Sequence, residues 1–193
     1  MNKLPTLEII IGPMFSGKTK ALIDNYNKYK TYNNCLCINH SKDNRYSPSA
    51  NKIVSHDGDT IDCIAVNNLY DVQKYYLQDL HNAAYIFINE AQFFSDLKDW
   101  TVDILDSYYK FKFIIPKNII MCGLDSDFKR QKFGSILDLI PFADKIIHLR
   151  GKCSICLKKD SSKFSHRTIS DTSQEIVGND IYKPVCHSCY CKK

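Results

Sequence analysis

Gly12-Pro13-Met14-Phe15-Ser16-Gly17-Lys18-Thr19 matches the pattern Gly-x-x-x-x-Gly-Lys-Ser/Thr in full. It follows the apolar run Leu7-Glu8-Ile9-Ile10-Ile11 and precedes a stretch in which Ala21, Leu22, Asn25, Tyr26 and Tyr29 recur with helical period. An Ile-rich run stopped by glycine predicts a central strand buried on both faces, so the order is strand, loop, helix. That order suits a phosphate cradle. The loop wraps its backbone N–H groups around phosphates, and the helix N-terminus adds partial positive charge. Lys18 then reaches the outer phosphates and Thr19 offers its hydroxyl to magnesium. Gly12 and Gly17 allow the close approach.

Downstream, strand-like and helix-like runs alternate. Cys35-Leu36-Cys37-Ile38-Asn39 reads as a second strand and the polar stretch 41–50, with Pro48, as a loop. Residues 52–66 offer two short strand-like pieces around the turn Asp57-Gly58-Asp59. Helices are predicted over about 69–81 and 95–109, and strands over Ala84–Ile88, Asn118–Cys122 and Ile146–Leu149. Such alternation predicts an α/β fold with a mostly parallel sheet flanked by helices, and a ligand crevice at the carboxyl ends of the strands.

In enzymes with this cradle an apolar strand commonly ends in an acidic residue that orients magnesium through water. Here Ile86-Phe87-Ile88 ends in Asn89-Glu90. Asn89 keeps an oxygen for a metal-bound water but gives up the charge, and Glu90 supplies a carboxylate one position on. A carboxylate beside the phosphates can take a proton from an attacking hydroxyl, which makes Glu90 the expected base. The plainer alternative is that Glu90 caps the helix near Ser95 or pairs with a lysine.

The nine cysteines are unevenly placed. Cys35, Cys37, Cys63 and Cys122 stand singly in apolar surroundings and read as small buried hydrophobes. Cys153-Ser154-Ile155-Cys156 and Cys186-His187-Ser188-Cys189 are two Cys-x-x-Cys pairs, spaced to place four thiolates on one tetrahedral zinc ion. A closed site of this kind is structural, ordering a lobe too small for its own core. Cys191 and His187 are alternative ligands, and redox chemistry is the weaker rival because neither pair sits at a strand-to-helix junction.

The cradle, Asn89-Glu90-Ala91-Gln92-Phe93-Phe94, Gly123-Leu124-Asp125, Phe128, Lys129-Arg130-Gln131-Lys132-Phe133-Gly134 and the cysteine knuckles together resemble thymidine kinases of the cellular and poxvirus type. The likeness runs from about Leu7 to Tyr190, and Lys42-Asp43-Asn44-Arg45-Tyr46 and Ser55-His56-Asp57 fit it in order. The resemblance implies a P-loop NTPase-like nucleotide-binding domain over 1–150 and a zinc-binding lobe with a substrate lasso over 151–193. It implies ATP, Mg2+ and structural Zn2+ as cofactors, with Glu90, Lys18 and Arg45 catalytic. Gly12 to Thr19, Asn89 and Gln92 would hold the nucleotide and its metal. Met14, Phe93, Leu124, Phe128, Phe133, Ser165, Glu175, Ile176, Val177 and Tyr182 would hold thymidine. Cys153, Cys156, Cys186 and Cys189 would hold zinc. A homotetramer inhibited by thymidine triphosphate is also implied. Two departures stand out: Asn89 replaces the family's usual Asp, and Glu175-Ile176-Val177-Gly178-Asn179 is one residue shorter than the family's paired-glycine version. Without the resemblance, the aromatic residues of this set read as core.

The bulk numbers constrain the alternatives. The chain of 193 residues is 44% hydrophobic, enough for one domain plus a small appendage. No run reaches the roughly 18 apolar residues of a membrane span and the first residues lack a secretory run, so a soluble cytoplasmic protein is expected with no membrane partner. A net charge of +5, spread along the chain, suits small phosphorylated ligands. A nucleic-acid-dependent ATPase is the competing reading, favoured only by Lys158, Lys159, Lys163, Arg167, Lys192 and Lys193. Such a protein would need basic and aromatic residues interleaved along a groove, and the chain matches known strand-binding modules poorly, so no nucleic-acid partner is expected. A nucleotide sensor disabled at Asn89 is a third reading, opposed by Glu90.

Overall fold

The structure is a computed structural model that describes residues 4–43, 51–110, 113–174 and 181–192. In chain order the elements are β1 (Thr6–Ile11), α1 (Lys18–Tyr29), β2 (Cys35–His40), β3 (Lys52–Val54), β4 (Thr60–Asp62), β5 (Ile64–Val66), α2 (Tyr70–Tyr75), α3 (Leu77–Asn82) and β6 (Tyr85–Ile88). There follow α4 (Leu97–Tyr109), β7 (Asn118–Gly123), β8 (Lys145–His148), β9 (Phe164–Arg167), β10 (Tyr182–Val185) and α5 (His187–Cys191). Short 3-10 turns occupy Ala91–Phe93 and Ile136–Phe142.

Six strands form one sheet in the order β5-β2-β6-β7-β1-β8, every neighbouring pair parallel. Every residue of β6 and β7 is buried, as a parallel sheet covered on both faces requires. The two-residue side-chain period sorts the core. Leu7, Ile9, Ile11, Leu36, Ile38, Ile86, Ile88, Ile119 and Met121 pack with Trp100 and Ile104 of α4 on one face. Ile10, Cys37, Phe87, Ile120 and Cys122 pack with Leu22 and Ile23 of α1 on the other. Because all six strands run the same way, their carboxyl ends and the loops that leave them share one edge of the sheet.

The expected α/β sheet is therefore present, with three differences of detail. Residues 52–66 hold three strands, not two: β3 and β4 pair across the Gly58 turn, and β5 joins the main sheet beside β2. A three-residue edge strand is too short for periodicity to reveal. The helix expected over 69–81 is two helices, because Tyr76 leaves helical geometry (φ −130°, ψ 32°) and packs against the core. The helix expected from about Ser95 begins at Leu97. Asp96 spends a carboxylate oxygen on the Tyr70 N–H at the start of α2, 3.0 Å away, instead of capping its own helix.

Cys37 and Cys122 are buried as expected, whereas Cys35 and Cys63 are half-buried. Among the described residues no helix is long and apolar enough to cross a membrane. The carboxy-terminal segment forms its own hairpin, β9 with β10, followed by α5.

Candidate active site and metal centre

The cradle sits at the tip of β1, and its conformation explains its glycines. Gly12 has φ +152°, and a Cβ there would come within 2.4 Å of the Leu149 carbonyl oxygen. Gly17 adopts φ +84° at the entry to α1, where side chains are strained. Lys18 is buried, and its Nζ donates to the Pro13 carbonyl at 2.7 Å, folded back over the loop. Ser16 Oγ is buried with no hydrogen-bond partner among the described residues, an orphaned donor inside the cradle. A phosphate oxygen would satisfy it, so the loop fits a nucleotide triphosphate.

Asn89 and Glu90, at the tip of β6, bond to different partners. Asn89 still belongs to the ladder, its N–H donating to Ile38 O at 2.9 Å, and its Oδ1 accepts from the Thr19 hydroxyl at 3.4 Å. This contact joins the cradle to the strand tip. Glu90 takes the left-handed conformation (φ 51°, ψ 42°), uncommon for a residue with a Cβ. Its side chain makes no helix cap and the residue is only 9% exposed, so the carboxylate is not turned to bulk solvent.

What holds Glu90 is Gln92. Gln92 Nε2 donates to Glu90 Oε2 at 2.6 Å, and Gln92 Oε1 accepts the Leu124 N–H at 2.9 Å. Both ends of the amide are engaged, which fixes its orientation. Two glycines make room for it: a Cβ on Gly123 would lie 2.5 Å from Gln92 Oε1, and one on Gly134 2.2 Å from the Gln92 carbonyl. Gln92, expected beside the nucleotide, thus has its amide occupied by Glu90 and Leu124.

The other expected substrate contacts fall around this edge. Phe93 and Phe133 meet edge to face, ring centroids 5.6 Å apart. Ser165 is buried and its Oγ accepts the Met14 N–H at 2.9 Å, tying the cradle to β9. Phe128 lies under the Arg167 guanidinium at 3.7 Å, and Arg167 donates to the Tyr182 hydroxyl. Leu124 is half-buried. Arg45, Glu175, Ile176 and Val177 lie outside the described residues.

Arg167 organises this wall, although the sequence reading placed it only among surface cations. It is 4% exposed and donates to the carbonyls of Asp171, Ser173 and Gln174. Gln174 reaches back to Asp127 at 2.9 Å, and Lys129 to the Thr172 carbonyl at 3.0 Å. This part of the expected lasso, residues 171–174, is thereby fastened to the turn at 127–132. The signal in the sequence is the alternation Ser165, Arg167 on a strand, which puts both on the inward face. Away from this edge, a cavity of about 340 Å³ lined by Leu4, Thr6, Tyr29, Tyr85 and Asn118 lies at the amino-terminal ends of the strands. It has no part in the site.

The four expected zinc ligands converge. The Sγ atoms of Cys153, Cys156, Cys186 and Cys189 all lie within 4.8 Å of one another, and Cys156 and Cys186 are 3.8 Å apart. Zinc–sulfur bonds of about 2.3 Å set tetrahedral sulfur–sulfur edges of about 3.8 Å, so the cage fits zinc. Burial raises the Cys153 thiol, but N–H groups of Cys156, Cys186 and Ile155 outweigh it and bring it to about 6. The Cys186 contact and burial push Cys189 up to about 12. Four sulfurs this close cannot all ionise without a cation between them. Cys191 and His187 are not members of the cluster.

Comparison with known proteins agrees with this assembly. The family model described as thymidine kinase matches residues 5–190. A thymidine kinase of Yaba monkey tumor virus is 37% identical over 188 residues, covering 96% of this chain and 94% of the viral protein. A thymidine kinase of rice is 36% identical over 188 residues, covering 95% of this chain, which spans 65% of the plant protein's length. The cytosolic thymidine kinase of Cricetulus griseus is 34% identical over 189 residues, covering 97% of this chain and 74% of its own. With a family match over nearly its whole length, and the cradle, strand tip and cysteine cage assembled as described, this chain belongs to the thymidine kinase family.

Proposed function

We propose that this chain transfers the terminal phosphoryl group of ATP to the 5′-hydroxyl of thymidine, giving thymidine monophosphate and ADP. The observation that carries this reading is the pairing at the tip of β6. Asn89 touches Thr19 of the cradle, and the next residue, Glu90, holds a buried carboxylate steadied by Gln92. This supports a reading in which the donor's phosphates and a general base meet at one edge of one sheet.

The chemistry follows from those parts. The cradle's N–H groups and the Lys18 ammonium bind the triphosphate and spread its developing charge. Glu90 accepts the proton of the 5′-hydroxyl as its oxygen bonds to the terminal phosphorus and the bond to the ADP oxygen breaks. Thr19 Oγ1 and Asn89 Oδ1 offer hard oxygen donors suited to Mg2+, which when bound neutralises phosphate charge. Met14, Phe93, Leu124, Phe128, Phe133 and Tyr182 form the walls for thymine. Apolar contact with its methyl is worth about 1–3 kcal/mol, so hydrogen bonds to the base edge carry the rest of the selectivity. By the resemblance these come from Glu175, Ile176 and Val177, and Arg45 steadies the phosphoryl group. The zinc cage is structural, because four thiolates leave the ion no open position. Homotetramer assembly, feedback inhibition by thymidine triphosphate and a cytosolic location belong to the same proposal.

The test is to incubate the purified chain with ATP, Mg2+ and each of the four deoxynucleosides, and to separate the products. Thymidine monophosphate is expected as the dominant product. ATP hydrolysis stimulated by single-stranded DNA, with no nucleoside phosphorylated, would overturn the reading.

A further inference from the structure

The stretch 168–174, between β9 and the expected base-edge residues, is neither helix nor strand, and every residue of it is exposed. A bond from the Ser173 N–H to the Asp171 carboxylate, 2.7 Å long, turns it, and the buried guanidinium of Arg167 fills the turn. One terminal nitrogen donates to the carbonyls of Asp171, at 2.9 Å, and Ser173. The other donates to the Gln174 carbonyl at 3.2 Å and to the hydroxyl of Tyr182, which stands opposite Arg167 in the hairpin register. Four of the five N–H groups are thereby used, and the fifth, on Nε, has no partner among the described residues. The same group lies over two rings, its central carbon 3.7 Å from the centre of Phe128 and 5.1 Å from that of Tyr182.

We propose that Arg167 is a positioning residue for the nucleoside: it holds residues 171–174 against Phe128 and Tyr182 and so keeps the thymine wall closed, without touching the reacting atoms. This rests on the kinase reading, which sets thymine against Phe128 and Tyr182. Burying a cation is costly, and a neutral side chain would fill the same space more cheaply. What only a guanidinium supplies is a flat fork that stacks on a ring and satisfies several acceptors from one point, a geometry lysine cannot copy. Because one group grips the stretch and both rings, none of the three can shift alone. The neighbouring contacts run the same way. Gln174 Nε2 donates to the buried Asp127 at 2.9 Å, and the other Asp127 oxygen accepts the N–H groups of Lys129 and Gln131 at 2.8 Å each. Tyr190 of α5 donates to the Phe128 carbonyl at 2.8 Å. Two residues before Arg167, on the same face of β9, Ser165 accepts the Met14 N–H, so one strand registers this wall against the cradle. The rival account, an arginine that only stabilises the carboxy-terminal lobe, predicts a lower Tm and lost zinc with no selective effect on thymidine.

The test compares the full, zinc-loaded chain with Arg167→Lys and Gln174→Ala, by steady-state kinetics and by calorimetric titration with thymidine. Arg167→Lys keeps the charge and loses the fork. It is expected to raise the KM and Kd for thymidine by about 10- to 100-fold, the scale set by a misplacement of about 1 Å. Its kcat at saturating thymidine and its KM for ATP are expected to stay within about threefold of native, because what is lost is binding and not transition-state stabilisation. Zinc is expected to remain at the native ratio by elemental analysis. Gln174→Ala, at an exposed position of the same stretch, is expected to move the thymidine constants the same way by about 2- to 10-fold. Thymidine KM within twofold of native in Arg167→Lys would overturn the inference. So would equal losses for thymidine and ATP accompanied by loss of zinc. Should Arg167→Lys not fold, Gln174→Ala decides, and unchanged thymidine KM and Kd there would overturn the inference as well. A native chain that phosphorylates no nucleoside defeats the kinase reading and this inference together, whereas native phosphorylation with unmoved variants defeats this inference alone.

Discussion

Replacing Gln92 by leucine tests whether Glu90 acts as a positioned base. Leucine keeps much of the volume under Gly123 and Gly134 but removes both ends of the amide. The bond lost from Gln92 Nε2 to the Glu90 carboxylate, 2.6 Å long, joins a neutral donor to a charged acceptor, a class worth about 1.5–3 kcal/mol. If that bond holds Glu90 against the 5′-hydroxyl, the whole amount appears in the barrier, and kcat falls by about 10- to 150-fold. The Leu124 N–H, bonded to Gln92 Oε1 at 2.9 Å, loses its partner as well. An unpaired buried group costs about 1–3 kcal/mol, an upper limit at this half-buried position, which for a chain of this size lowers Tm by a few degrees at most. Steady-state kinetics give kcat, and calorimetric titration with a non-hydrolysable ATP analogue gives the thymidine Kd, expected to stay within about threefold. In a Glu90→Gln background, itself slowed by about 10²- to 10⁴-fold, Gln92→Leu is expected to add little, because both act on one proton transfer. A full drop in Tm with kcat within twofold of native would refute the argument and leave Gln92 as scaffolding.

Other consequences are directly measurable. Gly134→Ala places a Cβ in a left-handed backbone at φ +62° and 2.2 Å from the Gln92 carbonyl, so it is expected to cost at least about 1–2 kcal/mol and to lower kcat as well; unchanged melting and turnover would contradict this. Burial lowers the Lys117 ammonium to about 8, while its Nζ donates to the carbonyls of His81 and Ala83. A lysine depressed in the fold is neutral there and charged in the unfolded chain from about pH 8 to about pH 10.5, so stability rises with pH through that window. Relative to Lys117→Met, the native chain is expected to gain about 2 kcal/mol between pH 7 and pH 9.5, read from urea unfolding at each pH; parallel curves would show that Lys117 titrates normally. One zinc per chain is expected by elemental analysis, with Cys191, exposed and outside the cage, the first thiol to be alkylated. After chelation Cys153, Cys156, Cys186 and Cys189 are expected to react too, whereas early alkylation of those four in the metal-loaded protein would show that the cage is open.

Much of this was legible because the strongest signals are local. The cradle needs a strand before it and a helix after it, and the period change from Ile9-Ile10-Ile11 to Leu22, Tyr26 and Tyr29 supplies both. The cysteine pairs are legible for the same reason, since two short spacings define half a tetrahedron each. What sequence could not supply is partnership across the sheet. Asn89 and Asp43 are 46 positions apart, and they meet because β2 and β6 are parallel neighbours in register from Cys35 with Tyr85 to Ile38 with Ile88. Gln92 looks like one more polar residue in a turn until Gly123 and Gly134 close over it. Arg167 reads as a surface cation until β9 turns it inward over Phe128. The break at Tyr76 was hidden because a half-buried aromatic fits a helical period whether or not the helix continues through it.

The placement of these partners also bears on why an amide is tolerated at residue 89. Asn89 and Glu90 are adjacent in sequence, and a carboxylate at each would set two negative charges at one strand tip, next to a base that must later accept a proton. Like charges a few ångströms apart oppose joint ionisation. The Asn89 amide instead stays neutral and bonds to Asn39 on β2 and to Asp43 just after it. The left-handed turn at Glu90 then sends the base toward Gln92 while the ladder holds Asn89 toward Thr19. On this account the substitution at 89 removes one negative charge from the strand tip and leaves Glu90 as its carboxylate. An Asn89→Asp variant should therefore reach full activity at a lower magnesium concentration than the native chain, whereas Glu90→Gln should stay slow at every magnesium concentration. Superimposable magnesium curves for the native chain and Asn89→Asp would refute this account.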